Sequence, residues 1–262
     1  MLTTFLPLYS FAVNVAGNFA DVQNLLPGAI DLHDYQLSPA DLKKISEADL
    51  IIANGLGLEP FLERAMKDVS ANKILVRASD GLQGELIKDD KGFINPHIWL
   101  DPSLAAHTVT NIVMALRKAD PHHATDYQEN ARRYIAALSQ MDADISSELQ
   151  MIQPVAFITQ HHAFEYFARH YHLRLVAVVE HIPEVNPTPR QLAKLHQTIR
   201  VEQVRALFVP PGIPGALERQ ICKDSGIRLG HLDPLETGEL SSGSYEAGMR
   251  KNATRLQEGL RK

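Results

Sequence analysis

A chain of 262 residues can hold one large domain or two moderate ones. Its apolar fraction of 45%, charged fraction of 22% and net charge of -5 are ordinary for a globular protein and leave no basic footprint for nucleic acid. No apolar run reaches the roughly 20 residues of a membrane span, and a single cysteine, Cys222, excludes an intrachain disulfide and a cysteine-based metal site.

The opening MLTTFLPLYSFAVNVAG is apolar but has no basic start, so it reads as strand plus helix rather than as a signal peptide; the signal of an exported protein would precede this numbering. Leu2–Phe5 is the strand, and the helix runs through Phe11 and Val15. Val22–Leu26 is a second strand, stopped by Pro27-Gly28. Ser38-Pro39 supplies an N-cap and a first-turn proline, with Asp41 early in a helix that ends near Ala48. Leu50–Ala53 is a fully apolar strand closed by Asn54-Gly55, Leu58–Val69 an amphipathic helix, and Ile74–Val76 another strand. Asp80–Gly92 is a polar surface loop, and Cys222, beside Ile221, is a small buried hydrophobe.

Next comes Asn95-Pro96-His97-Ile98-Trp99-Leu100-Asp101-Pro102, where each proline pushes the residue before it out of the helical region. His97–Leu100 is therefore expected to be a short extended segment. Pro102 starts a helix, and Asp120-Pro121 starts another whose apolar stations, Ala124, Tyr127, Ala131, Tyr134, Leu138, Met141 and Ile145, continue to about Gln150. About 30 helical residues span roughly 45 Å. Strand and helix then alternate again: Val155–Thr159, His162–Tyr171, Leu173–Val179, Pro189–Val201, Ala206–Val209, Pro214–Ser225, Ile227–Leu229 and Ser244–Leu260. The pattern predicts an α/β fold of two lobes, residues 1–119 and 153–262. Each would hold a parallel sheet flanked by helices, with one long backbone helix at 120–152 joining them and a ligand cleft between.

Histidine is the unusual count, at 12, which makes metal binding worth testing. Four short pieces stand at strand ends or in loops: around His33, around His97, at His161-His162, and at Asp233. Three imidazoles and one carboxylate suit a borderline cation such as Zn²⁺ better than Mg²⁺ or Ca²⁺. No local HExxH signature is present.

The stretches LPLYSFAVNVAG, LLPGAIDLHDYQLSPADLKKISEADLIIANGLGLEPFLE, NPHIWLDP, HHAFEYFARHY, NPTPRQLAKL, LDPL and SYEAGMRKNATRLQEGL resemble, in order and over nearly the whole chain, the zinc- and manganese-binding solute proteins of bacterial ABC importers. The resemblance implies a metal buried between two α/β lobes, with ligands at His33, His97, His161 and Asp233. Manganese members resemble SEGAF at the third position, so His161 points to zinc. His162 stands where the family usually has aspartate, which keeps it as the alternative third ligand. Asp31-Leu32 replaces the usual Glu-Pro before His33, Pro210 replaces a common glutamate, and the loop before His97 lacks the His-rich insertion of many zinc members. His122 and His123 are expected to be solvated, and His170 and His172 to flank a helix end. His107, His181, His196 and His231 are expected to be surface or structural, His181 being the best candidate to support a ligand. Trp99 and Asp101 are read as structural.

The function implied is an extracytoplasmic or periplasmic binding protein, a monomer, that captures Zn²⁺ and delivers it to an ABC permease in the cytoplasmic membrane. A periplasmic zinc chaperone is a further partner of that kind. Mn²⁺ or Fe²⁺ cargo, or an adhesin role, stays within the same family. A zinc-dependent hydrolase is the competing class, and would need a metal-bound water with Asp34 or Asp233 as base.

Overall fold

Short apolar strands, bounded by glycine, proline and asparagine, build two separate parallel sheets. The computed structural model describes residues 1–26, 35–68, 73–89, 92–179, 187–212 and 215–261. These fall into two units, Met1–Gln140 with Leu235–Ala247, and Met141–Pro234 with Gly248–Lys262.

In the first unit the strands are β1 (Leu2–Thr3), β2 (Gln23–Asn24), β3 (Leu50–Ala53) and β4 (Ile74–Arg77), in the order β2-β1-β3-β4 and all parallel. The helices α1 (Leu6–Ala16), α2 (Pro39–Glu47), α3 (Pro60–Asp68) and α4 (Pro102–Ala119) are interleaved with them. The cap of α2 is reciprocal: Asp41 N–H donates to Ser38 Oγ while the Asp41 carboxylate accepts from Ser38 N–H. Phe5, Phe11, Ile51, Ile52, Trp99 and Ile112 are fully buried in this unit.

In the second unit β5 (Phe157–Thr159), β6 (Leu175–Val178), β7 (Ala206–Val209) and β8 (Arg228–His231) are again all parallel, in the order β6-β5-β7-β8. Here α6 (Glu165–His170), α7 (Pro189–Val201) and α8 (Ala216–Ser225) alternate with the strands. The core gathers Ile158, Leu195, Ile199, Leu207 and Ile221. Cys222 packs there too, and burial pushes its thiol up to about 11, so it behaves as the small hydrophobe expected. Both sheets therefore have the same strand order, with the reversal between the first and third strand of each. Ligand sites in open parallel sheets form beyond the carboxyl ends of the strands at that reversal.

Helix α5 (Ala124–Leu149) takes the chain from one unit into the other, flanked by single 3₁₀ turns at Pro121–His123 and Gln150–Ile152. Its buried positions are Tyr127, Ala131, Tyr134, Leu138, Met141, Ile145 and Leu149, as the spacing predicts, while Ala124 at the first turn is only half-buried. The last helix, α9, covers Ser244–Leu260. Two expectations need correction. The strand expected over Val22–Leu26 is regular only at Gln23–Asn24, although Leu25 N–H and Leu26 N–H still donate to the Thr3 and Thr4 carbonyls at 2.8 and 3.2 Å. The segment after His97 is not extended: Ile98–Leu100 form a 3₁₀ turn, with Leu100 N–H donating to the His97 carbonyl at 3.2 Å. Proline restrains the residue before it, here Asn95 and Asp101, and leaves those between free to turn. Burial of Ile98, Trp99 and Leu100 together decides the outcome.

The link from β3 to α3 is a tight turn. Gly55, Leu56 and Gly57 all take positive φ, of 81°, 58° and 80°. At Gly55 a Cβ would lie 2.8 Å from Ser79 Oγ, so only glycine fits. The Glu59 carboxylate holds the turn, accepting from Asn54 N–H at 2.7 Å, Gly55 N–H at 3.0 Å and Thr4 Oγ1 at 2.9 Å. Burial pushes the Glu59 carboxyl up from 4.5 to about 7, against the pull of these hydrogen bonds. The folded protein thus holds this proton more tightly than the unfolded chain, and stability falls as pH rises from about 4.5 to about 7. Thermal melting of the parent and Glu59→Gln across that range should show the parent losing stability relative to the variant as pH rises; a constant difference contradicts this.

Candidate metal centre

The motif around His97 is fixed at several points in the first unit. Asp101 caps α4, its Oδ1 accepting from Ser103 N–H at 2.9 Å and Leu104 N–H at 3.4 Å, with Pro102 in the first turn. Trp99 packs edge-on against Phe5 at 4.7 Å, and its carbonyl accepts the Tyr245 hydroxyl at 2.7 Å. These contacts make Trp99 and Asp101 the structural residues expected.

His97 is only 3% exposed. Asn95 Oδ1 lies 3.0 Å from the His97 backbone nitrogen and 2.7 Å from its ring Nδ1. The backbone N–H can only donate, so the Asn95 atom is an acceptor and Nδ1 carries a proton. Nε2 is thereby turned outward, and it meets Glu236 Oε1 at 3.1 Å. Glu236 is itself buried, at 8% exposure. The segment that carries it, Leu235–Ala247, packs with this unit. Ser10 Oγ donates to the Ser241 carbonyl at 2.7 Å, Asn14 Nδ2 to Ser242 at 2.8 Å, and Tyr245 packs on Phe11 at 4.7 Å. Leu235, directly before Glu236, is buried with φ at 63°, a left-handed position that is costly for a branched side chain. The contact of Glu236 with His97 is not expected from the sequence. The signal was an acid three positions beyond Asp233, in the run Leu232-Asp233-Pro234-Leu235-Glu236.

In the second unit His161 follows the carboxyl end of β5. Gln160 N–H donates to the Phe208 carbonyl at 2.8 Å, and Thr159 Oγ1 to the His161 carbonyl at 3.0 Å. His161 therefore stands beside the β5/β7 reversal. His162 differs: its Nδ1 pairs with Glu165 Oε2 at 2.8 Å, within its own turn. Asp233 lies just past β8, where fully buried Asn252 grips its backbone in both directions, at 2.8 and 2.7 Å. His33, with Asp31, Asp34, Glu180 and His181, lies outside the described residues.

Several other histidines have structural partners. His107 Nε2 lies 2.8 Å from the Asp80 carbonyl, His170 Nε2 2.8 Å from Asp142, and His196 Nδ1 2.9 Å from Ser225 Oγ. His123 is half-buried, paired with Asp120 at 2.7 Å and stacked on Phe19, rather than solvated; His122 is exposed.

The family profile described as zinc-uptake complex component A, periplasmic, matches residues 1–259. The high-affinity zinc uptake system protein ZnuA of Bacillus subtilis is 28% identical over 277 residues, 99% of this chain and 87% of that protein. The zinc-binding protein AdcA of Streptococcus pyogenes is 28% identical over 283 residues, 98% of this chain, which spans 55% of AdcA's length. Among solved structures, the SBP FpvC of Pseudomonas aeruginosa in complex with Ni²⁺ superposes with a TM-score of 0.88 at 29% identity, covering 99% of this chain and 95% of that one.

The Asn95 contacts predict that His97 keeps its Nδ1 proton in the metal-free protein, and that Asn95→Ala gives a mixture of tautomers. Long-range ¹H–¹⁵N spectra of the imidazole nitrogens report this directly; an unchanged pattern in the variant contradicts it.

Proposed function

Because the chain belongs to the family of periplasmic zinc-uptake complex component A proteins, we propose that it is an extracytoplasmic solute-binding protein that captures Zn²⁺ and passes it to an ABC permease in the cytoplasmic membrane. The observation that carries this is the buried His97–Glu236 contact of 3.1 Å. A proton between ring and carboxylate makes that contact favourable in the metal-free protein, and a divalent cation can take its place. We assign the site to His33, His97 and His161, with Glu236 as the carboxylate in preference to Asp233, because Glu236 already faces the His97 nitrogen. His161 is preferred to His162, whose Nδ1 is engaged by Glu165.

Three imidazoles and one carboxylate fill a tetrahedral shell around zinc, leaving no open position for a reacting water. That favours capture and release of a cargo ion over the hydrolase alternative. It also favours zinc over manganese, which takes more oxygen donors. The family works with ABC permeases; a monomeric state and a periplasmic zinc chaperone as partner belong to the same proposal. No helix among the described residues is long and apolar enough to cross a membrane.

Alanine substitution of His33, His97, His161 or Glu236 is expected to weaken zinc binding by more than about a hundredfold in competition against a chromophoric chelator, and Asp233→Ala by much less. The reverse result for the two acids would move the carboxylate ligand to Asp233. Zinc must also displace protons from imidazole. Affinity should therefore fall as pH drops through about 6.5, and binding titrated in buffers of different ionisation enthalpy should show proton release. A pH-independent affinity between about pH 5.5 and 7.5 contradicts the assignment.

A further inference from the structure

A metal-binding imidazole is only as well placed as the backbone that carries it, and the backbone of His97 is held from outside its own motif. Asn54, the residue after β3, is buried at 1% exposure. Its side-chain Nδ2 donates to the Pro96 carbonyl at 2.9 Å, across 42 positions of sequence, and to the Gly55 carbonyl at 3.3 Å. The same Pro96 carbonyl accepts the Ile98 N–H at 2.8 Å. That one oxygen both opens the turn carrying His97 and ties it to the end of the sheet. Asn54 is placed in turn by Glu59, which holds the Asn54 and Gly55 N–H groups at the start of the left-handed Gly55-Leu56-Gly57 stretch. Without that carboxylate two buried backbone donors would lack their acceptor.

We propose that Asn54 and Glu59 are positioning residues for the cation site: Glu59 sets the turn, Asn54 sets the Pro96–His97 peptide, and together they fix the direction of the His97 ring. This rests on His97 being a ligand, as proposed above. Neither residue touches the cation; both act through Pro96 and His97. The pair belongs to the carboxyl end of β3, beside the β1/β3 reversal, which places a ligand-orienting device where an open parallel sheet gathers its ligands.

The test uses the full chain. Asn54→Asp keeps the size and shape of the side chain but turns the Nδ2 donor into an acceptor facing the Pro96 carbonyl. Zinc affinity is read by competition against a chromophoric chelator, and the His97 ring nitrogens by ¹⁵N resonance in the zinc-free protein, with His97→Ala measured alongside. The expected result is a loss of about tenfold in affinity together with displaced His97 resonances. If Asn54→Asp does not fold, Glu59→Gln is the second variant. It keeps an acceptor for Asn54 N–H but can present a donor to Gly55 N–H, and the same two changes are expected. A folded variant with parental affinity and parental His97 resonances overturns the role, as does a loss of thermal stability with both readouts unchanged. Parental affinity in His97→Ala overturns the ligand assignment beneath it, and the positioning role with it.

Discussion

A buried imidazole facing a buried carboxylate is unfavourable unless something positive lies between them. His97 and Glu236 are such a pair, 3.1 Å apart and nearly excluded from solvent. A proton can fill the role, and so can a divalent ion that brings further donors with it. Much of the first unit can be understood as the means of keeping this contact. Asn95 fixes which nitrogen of His97 faces outward, Tyr245 and Trp99 join the returning segment to the motif, and Ser10 and Asn14 hold the loop that follows Glu236. Each is a modest interaction of about 1 kcal/mol net, and together they fix the direction of the His97 imidazole.

The two sheets show the same economy of topology. Each has four short parallel strands in the same order, and ligand sites in open parallel sheets form where that order reverses. In the first sheet Asn54 and the strained turn it begins occupy that end; in the second it is Thr159, Gln160 and His161. A geometry that recurs in each unit by itself explains why residues far apart in sequence carry related chemistry.

Much of this was legible in the sequence. Leu50–Ala53, Pro189–Val201, Ala206–Val209 and Ser244–Leu260 have the limits that apolar runs, caps and prolines imply. The buried face of α5 follows from spacing alone, because a period of 3.6 leaves little choice. The direction of individual side chains was less legible. Two prolines around His97–Leu100 suggested an extended run, but the buried Ile98 and Trp99 draw it into a 3₁₀ turn. The contact between Glu236 and His97 was not legible, because no periodicity governs a segment that leaves a strand, and the left-handed Leu235 that precedes Glu236 is a tertiary outcome. Asn54 offered no signal at all beyond a turn-forming Asn-Gly pair, since its partner Pro96 is distant in sequence.

Zinc K-edge X-ray absorption of the zinc-loaded protein, compared with Glu236→Ala, measures the central contact most directly. The account predicts a low-coordinate shell at about 2.0–2.1 Å with strong imidazole multiple scattering, no sulfur, and a carboxylate contribution that disappears in the variant. A shell unchanged by Glu236→Ala, or one without histidine scattering, would contradict it.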